Sequence, residues 1–86
     1  MKEVERILKA FANKRRIAIV KYLKNNRDAT VGDIAAEINL SFKATSKHLG
    51  ILSTADILEK EQHSLQVHYR LASSQKPVAR AIIHLL

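Results

Sequence analysis

The chain has 86 residues, with 15 lysines and arginines against eight aspartates and glutamates, and its formal net charge is +7. This length predicts one small domain over residues 1–86, and the charge favours a polyanionic partner, either nucleic acid or an acidic membrane surface. There is no cysteine, which excludes disulfides, thiolate metal sites and cysteine nucleophiles, and no stretch is typical of a signal peptide or a membrane span, so we expect a soluble protein of the cytoplasm.

Two amphipathic helices are predicted in the first third of the chain. The apolar face of the first helix consists of Val4, Ile7, Leu8 and Phe11. Asn13 can cap the second helix, which ends at Lys24-Asn25-Asn26 and whose apolar residues are Ile17, Ile19, Val20 and Leu23. Each helix therefore has one face to bury.

The segment from Thr30 to Leu52 predicts two short helices joined by a tight turn, which is the helix-turn-helix pattern of DNA-binding proteins. Thr30 and Asp33 have the spacing of a capping box at the start of the first of these helices. Asn39 tolerates the left-handed backbone that ends a helix, and Ser41 can cap the helix that follows. The apolar face of the first helix of the pair consists of Val31, Ile34, Ala35 and Ile38.

The second helix of this pair is predicted to carry an outward cationic face. Its inward residues are Thr45, His48, Leu49 and Leu52, which leaves Lys43, Ser46, Lys47 and Gly50 outside. Such a face can be merely solvated, or its lysines can contact phosphates while its first turn reads base edges. Gly50 either allows close approach of a sugar-phosphate strand, or is a tolerated weak point or a packing contact with a neighbouring helix.

The apolar pattern changes to a period of two after this helix. Leu65, Val67, Tyr69 and Leu71 alternate with polar residues, which predicts a half-buried strand. Its antiparallel partner is expected at Ile57 to Glu61, with Asp56 in a left-handed link before it and a bend near Gln62-His63-Ser64. The two strands form a β-hairpin, or wing, beside the second helix of the pair.

A last helix is predicted from about Gln75, with Pro77 in its first turn. Its apolar face consists of Val78, Ala81, Ile82 and Leu85, and Ile83 and Leu86 widen it. This excess of apolar surface predicts contact with another subunit, together with the first helix. The alternative is a terminal helix that lies across its own core.

The order of four helices, a hairpin and a closing helix resembles the ArsR-type winged-helix transcriptional regulators over nearly the whole chain. The segments that carry the resemblance are ILKAFANKRRIAIVKYL, VGDIAAEINLS, SKHLGIL and VHYRL. The expected fold is therefore mainly α with a small β-hairpin. The resemblance implies a homodimer through the first and last helices, with Val4, Ile7, Leu8, Phe11, Val78, Ala81, Ile82 and Leu85 at the interface. It also implies two recognition helices in successive major grooves of double-stranded DNA and repression of transcription.

The resemblance places the DNA contacts at Ser41, Phe42, Lys43, Ser46, Lys47 and His48, with Arg70 or His68 of the wing as candidates for phosphate contact. The family often has Gln where Phe42 stands, and an aromatic ring cannot form the bidentate bond that Gln makes to adenine. Phe42 can instead touch a thymine methyl group or pack against the preceding turn. The wing tip, Gln62-His63-Ser64, lacks the Arg and Gly that are common in the family.

No metal site or other cofactor is expected. Many relatives bind metals through two cysteines at positions that Thr30 and Gly32 occupy here, and neither residue is a soft ligand. Others use Asp and His on the last helix, which here has His84 alone. The other histidines, His48, His63 and His68, lie on different predicted elements without a ligand spacing.

Two other function classes are alternatives to DNA binding. A winged helix can serve as a protein-interaction module, and the nearly neutral wing and apolar last helix agree with that alternative. An enzyme is not expected, because the chain has no nucleophile elbow, no phosphate-binding glycine loop and only two glycines.

Overall fold

A computed structural model of the chain describes residues 1–86 and has five helices and three short strands. In chain order these are α1 (Lys2–Phe11), α2 (Lys14–Asn25), β1 (Ala29–Thr30), α3 (Val31–Ile38), α4 (Phe42–Thr54), β2 (Leu58–His63), β3 (Gln66–Leu71) and α5 (Pro77–Leu85). The predicted order of helices and hairpin is confirmed. No helix combines the length and the apolar character that crossing a membrane requires.

Side-chain caps define the starts of three helices. The Asn13 side chain accepts hydrogen bonds from the first amides of α2, and Ser41 Oγ accepts one from the Ala44 amide in α4. At α3, Thr30 Oγ1 accepts from the Asp33 amide at 3.1 Å while the Asp33 carboxylate accepts from the Thr30 amide at 3.2 Å. These reciprocal bonds confirm the predicted capping box. Asn39 ends α3 with a φ of 53°, as predicted.

The sheet has three strands in the order β1-β3-β2, so the prediction of a two-stranded hairpin was incomplete. In β1, Ala29 pairs with Tyr69 and Thr30 with His68, both antiparallel. A strand of two residues is too short to produce a periodic pattern, which is why it could not be predicted. Because Thr30 also caps α3, this pairing joins the wing directly to the helix-turn-helix.

The wing turn lies one residue later than predicted. β2 and β3 pair from Leu58↔Leu71 to His63↔Gln66, and Ser64 and Leu65 form the turn, with Ser64 at a φ of 59°. Leu65 was predicted in the half-buried strand, but its exposed fraction is 96 % because it lies in this turn. The left-handed conformation of Asp56 is confirmed by its φ of 60°.

The core is a cluster of 15 buried apolar residues drawn from the helices, the strands and the α4–β2 link. It corrects part of the predicted subunit interface, because Ile7 and Phe11 are only 2 % and 4 % exposed within the chain itself. In α5 the buried residues are Ala79 and Ile83, whereas the predicted apolar face was Val78, Ala81, Ile82 and Leu85, with Ile83 and Leu86 widening it. Both chain ends thus contribute to the core, and α1 packs against α5.

Candidate nucleic-acid interface

The first turns of α4 present exposed polar and apolar groups together with positive charge. Ser41, Phe42, Lys43 and Lys47 are exposed, and Ser46 is half-buried. The helix has no carboxylate, and neither lysine lies within ion-pair distance of one. The positive end of the helix dipole adds to the charge of Lys43. This surface can attract and bind an anion such as a DNA phosphate.

Phe42 has an exposed fraction of 63 %. Most of the side chain is therefore not covered by packing against the preceding turn. A phenyl ring exposed at the start of α4 is available for apolar contact with a base, such as a thymine methyl group.

His48 faces another helix rather than the outward surface of α4. Its Nδ1 atom lies 3.1 Å from Arg16 Nη1, and its side chain is half-buried. Arginine has no acceptor, so Nδ1 must accept this bond and the neutral ring carries its proton on Nε2. Burial, followed by the charges of Arg16, Arg15 and Lys47, lowers the pKa of His48 below 6.5. The predicted DNA contact of His48 is thus limited to the Nε2 side of the ring.

Arg70, the predicted phosphate contact of the wing, is paired with carboxylates of the neighbouring strand. Its Nε donates to Glu59 Oε1 at 2.9 Å, and its Nη1 donates to Glu61. These bonds raise the pKa of Arg70, and the bond from Arg70 is the main cause that lowers the pKa of Glu61. The guanidinium charge is therefore balanced within the wing, and a phosphate would have to displace a carboxylate to contact it.

The fold brings two histidines together that the sequence had placed on separate elements without a ligand spacing. The rings of His63 and His68 lie with their centroids 4.6 Å apart, and His68 Nδ1 is 3.2 Å from Asp28 Oδ1. His63 Nε2 is 3.4 Å from Glu61 Oε1. Each imidazole thus has a carboxylate neighbour, but the chain has no group of three or more His, Cys, Asp or Glu side chains placed to hold a metal ion.

Two arginines that the sequence analysis did not select hold the helix-turn-helix against α1 and α2. Arg15 Nη1 donates to the Ile38 carbonyl at the end of α3 at 2.7 Å, and Arg16 Nε donates to the Ala10 carbonyl near the end of α1 at 2.6 Å. Their position carried a signal, since cations in the first turn of a helix oppose its dipole. A stabilising contact with another element offsets that cost.

Six of the eight residues predicted at a subunit interface on α1 and α5 are exposed or half-buried. Leu8 and Leu85 have exposed fractions of 49 % and 82 %, and Ala81 is exposed. The half-buried members of the predicted interface are Val4, Val78 and Ile82. These six residues are what remains of the predicted set after Ile7 and Phe11 are assigned to the core.

The model of the arsR family of bacterial regulatory proteins matches residues 13–60. The transcriptional activator HlyU of Vibrio cholerae is 31% identical over 80 residues, which cover 93% of this chain and 73% of HlyU. The transcriptional repressor SdpR of Bacillus subtilis is 34% identical over 76% of this chain and 71% of SdpR. The homodimeric winged helix-turn-helix DNA-binding domain of Mb0332 from Mycobacterium bovis superimposes with a TM-score of 0.85 at 28% identity, over 98% of this chain and 74% of that one.

Proposed function

The chain belongs to the arsR family of bacterial regulatory proteins, and we propose that α4 is the helix with which it reads double-stranded DNA. It is a transcriptional regulator with a winged-helix DNA-binding fold. The relatives named above are regulators rather than enzymes. What remains to be assigned is which side chains contact the DNA and which faces join two subunits.

The observation that carries the proposal is the exposed, carboxylate-free face at the start of α4. Lys43 and Lys47 have no ion-pair partner and contact phosphates or, for Lys43, a base edge. The Ser41 hydroxyl accepts a hydrogen bond from the Ala44 amide and can still donate a hydrogen bond to a phosphate. Phe42 supplies an apolar contact with a base, and Ser46 lies one turn further along the same helix. His48 and Arg70 contribute less to DNA binding, because each side chain already has a hydrogen-bond partner within the chain.

We further propose that two copies associate through α1 and α5. Support comes from the homodimeric relative in Mycobacterium bovis and from the exposed apolar side chains Leu8 and Leu85, which lie on two helices that pack together. A two-fold symmetric dimer would present two copies of α4 to successive major grooves.

Relatives of this chain regulate in both directions, since HlyU is an activator and SdpR a repressor. We propose repression for this chain. A winged-helix dimer that covers a stretch of duplex excludes other proteins from it, and this needs no additional contact surface.

Fluorescence anisotropy with a labelled duplex across a salt series tests the proposed contacts. We expect the affinity of the wild-type protein to fall steeply with salt, because binding releases counterions from neutralised phosphates. Lys47→Ala should weaken binding to every sequence and make the slope of log K against log salt shallower by about one unit. Lys43→Ala should do the same, or also relax specificity at one base position.

Lys21→Ala is the matched control, because it removes an exposed charge from α2 and should leave the slope much closer to that of the wild type. If Lys43→Ala and Lys47→Ala both bind like the wild type, the assigned face is wrong. Stable binding of a protein partner that is indifferent to both substitutions would instead favour a protein-interaction module.

A further inference from the structure

A groove of about 680 Å³ lies between α1 and the C-terminal half of α4, beside the proposed DNA-reading face. Five cations and a single carboxylate line it: Lys2, Glu5, Arg6, Lys9, Arg16 and Lys47. Lys47 belongs to both surfaces, so the groove is continuous with the outward face of α4. None of the DNA contacts proposed above lies on α1.

The cations of α1 form no ion pairs, although Glu3 and Glu5 lie on the same helix and Glu5 lines the groove. Lys2 and Arg6 are four residues apart and Arg6 and Lys9 three, so they are neighbours on one helix face, where like charges destabilise a helix. None of the three forms an ion pair with a carboxylate. An anion bound in the groove would relieve the part of this repulsion that Glu3 and Glu5 do not offset.

Arg16 provides a fixed charge in the same groove. Its guanidinium donates to the Ala10 carbonyl at 2.6 Å, to the Lys9 carbonyl at 3.3 Å and to His48 Nδ1 at 3.1 Å. These bonds use three of the five N–H donors of the side chain and hold its position. Two donors remain for a ligand, so Arg16 is a positioned anion contact rather than a mobile surface charge.

Gly50 leaves the wall of the groove on the α4 side open. A Cβ atom added at this position would meet nothing within 4 Å, so packing within the chain does not require a glycine there. A glycine inside a helix reduces helix stability, and here no neighbouring side chain explains that cost. The open space suits a bulky group that approaches the helix backbone closely.

We propose that this groove binds the sugar-phosphate backbone that borders the major groove occupied by α4, with Arg6, Lys9 and Arg16 as phosphate contacts. The inference rests on the proposed function, because it places α1 beside the same DNA. A helix in a major groove has a phosphate strand along each side, and α1 flanks α4 on the side that carries Lys47 and Gly50. The contacts position the protein on the duplex and carry no sequence information.

The test compares two double variants that remove the same charge from different grooves. Arg6→Gln with Lys9→Gln alters the α1–α4 groove, and Lys14→Gln with Lys21→Gln alters the groove between α2 and α3. With a fluorescein-labelled duplex of mixed sequence, we expect the first pair to make the salt slope shallower by about two units. The control pair should change it much less. Equal slopes for the two pairs would overturn the proposal.

Gly50 gives an independent readout. Gly50→Leu fills open space with a good helix former, so its melting temperature should be equal to or above that of the wild type. Its affinity for the same duplex should nevertheless fall by about tenfold, because the side chain blocks close approach of the backbone. Wild-type affinity in this variant would contradict the proposal.

Failure of the groove and failure of the proposed function give different results. If only the groove assignment is wrong, the wild-type protein binds DNA with a steep salt dependence, Lys47→Ala weakens it, and the Arg6 and Lys9 variant binds normally. If the proposed function itself is wrong, the wild-type protein shows no salt-dependent binding to DNA.

Discussion

Arg16 and His48 connect three helices beside the proposed DNA-reading face. Arg16 donates to carbonyls in the last turn of α1 and to His48 Nδ1 on α4. The last carbonyls of a helix lack partners within the helix, and a cation is favourable there because of the helix dipole. Through this one side chain the end of α1 and the middle of α4 are held in a fixed relation. The bond requires His48 to be neutral.

The titration of His48 predicts a loss of stability in mildly acidic solution. Because the pKa of His48 in the folded chain lies below 6.5, the unfolded chain binds the proton first as the pH falls. The free energy of unfolding should therefore decrease as the pH falls through about 6.5, the ordinary pKa of histidine, and His48→Gln, which keeps an acceptor for Arg16, should remove this part of the decrease. Urea denaturation at pH values above and below this pKa measures it.

The control for this measurement is His84→Gln, which removes an exposed histidine from α5. It should retain the pH dependence of the wild type. The assignment to His48 fails if His48→Gln loses stability with falling pH as steeply as the wild-type protein does.

Local and non-local residue roles differed in how well the sequence predicted them. The caps at Asn13, Thr30 and Ser41 were predicted because each side chain bonds to amides two or three residues further along the chain. The bond between Arg16 and His48 spans 32 residues, and no local pattern specifies which distant group an arginine will meet. Only the unfavourable position of Arg16 in the first turn of α2 indicated a partner elsewhere.

At the scale of elements, the wing is held by β1 but its charge is internally balanced. Pairing of Ala29 and Thr30 with β3 anchors the hairpin at the start of α3. Across β2 and β3, Arg70 bonds to Glu59 and Glu61, so the only arginine of the hairpin is not free. This balance predicts that the wing contributes less attraction to DNA than α4 does.

Removal of a wing carboxylate should strengthen DNA binding. Glu61→Gln takes away a negative charge and releases one of the partners of Arg70, so Arg70 can turn to a phosphate. We expect tighter binding and a salt slope steeper by up to about one unit in the anisotropy experiment.

Asp56→Asn makes the same change of charge at the link before β2, where asparagine also tolerates the positive φ. Its effect should be smaller than that of Glu61→Gln. An equal effect of the two variants would mean that overall charge, and not the wing, is responsible.

Periodic elements were predictable from the sequence, whereas β1 and the exact wing turn were not. The alternation from Val67 to Leu71 identified β3, and its partner strand was predicted within one or two residues of its observed bounds. Leu65 is apolar and so fitted the alternating pattern of the strand, but it lies in the turn with Ser64. A hairpin turn is set by backbone conformation, and here Ser64 adopts the left-handed conformation without the glycine that would have signalled it.

At the scale of the whole molecule, the helix faces that enter the core determine which surfaces remain for a second subunit. The amphipathic pattern of α5 predicted Val78, Ala81, Ile82 and Leu85 as one face, but the helix buries Ala79 and Ile83. In a helix with apolar residues on most sides, the pattern alone does not fix its rotation against α1. Contact with the core decides it, and Leu85 is left exposed.

This exposure predicts that a charge at Leu85 disrupts the dimer without unfolding the chain. Leu85→Glu should weaken self-association by about 2 kcal/mol, or roughly 30-fold in the dissociation constant, since it places a carboxylate in an apolar interface. Sedimentation equilibrium measures the shift. Ile82 is a poorer choice because it packs against the core of its own chain.

Leu65→Glu is the matched control, because Leu65 is exposed on the wing turn and away from α1 and α5. It should sediment like the wild-type protein. If Leu85→Glu also sediments like the wild type, α5 is not part of the subunit interface.

Selection of bound sites from random double-stranded DNA tests most directly the central claim that a dimer reads DNA through two copies of α4. The enriched sequences should form an inverted repeat, with half-site centres about one helical turn, or roughly 10 base pairs, apart or a multiple of that distance. The symmetry follows from the two-fold axis of the dimer. Recovery of no enriched sequence, or of a single asymmetric site, would contradict the claim.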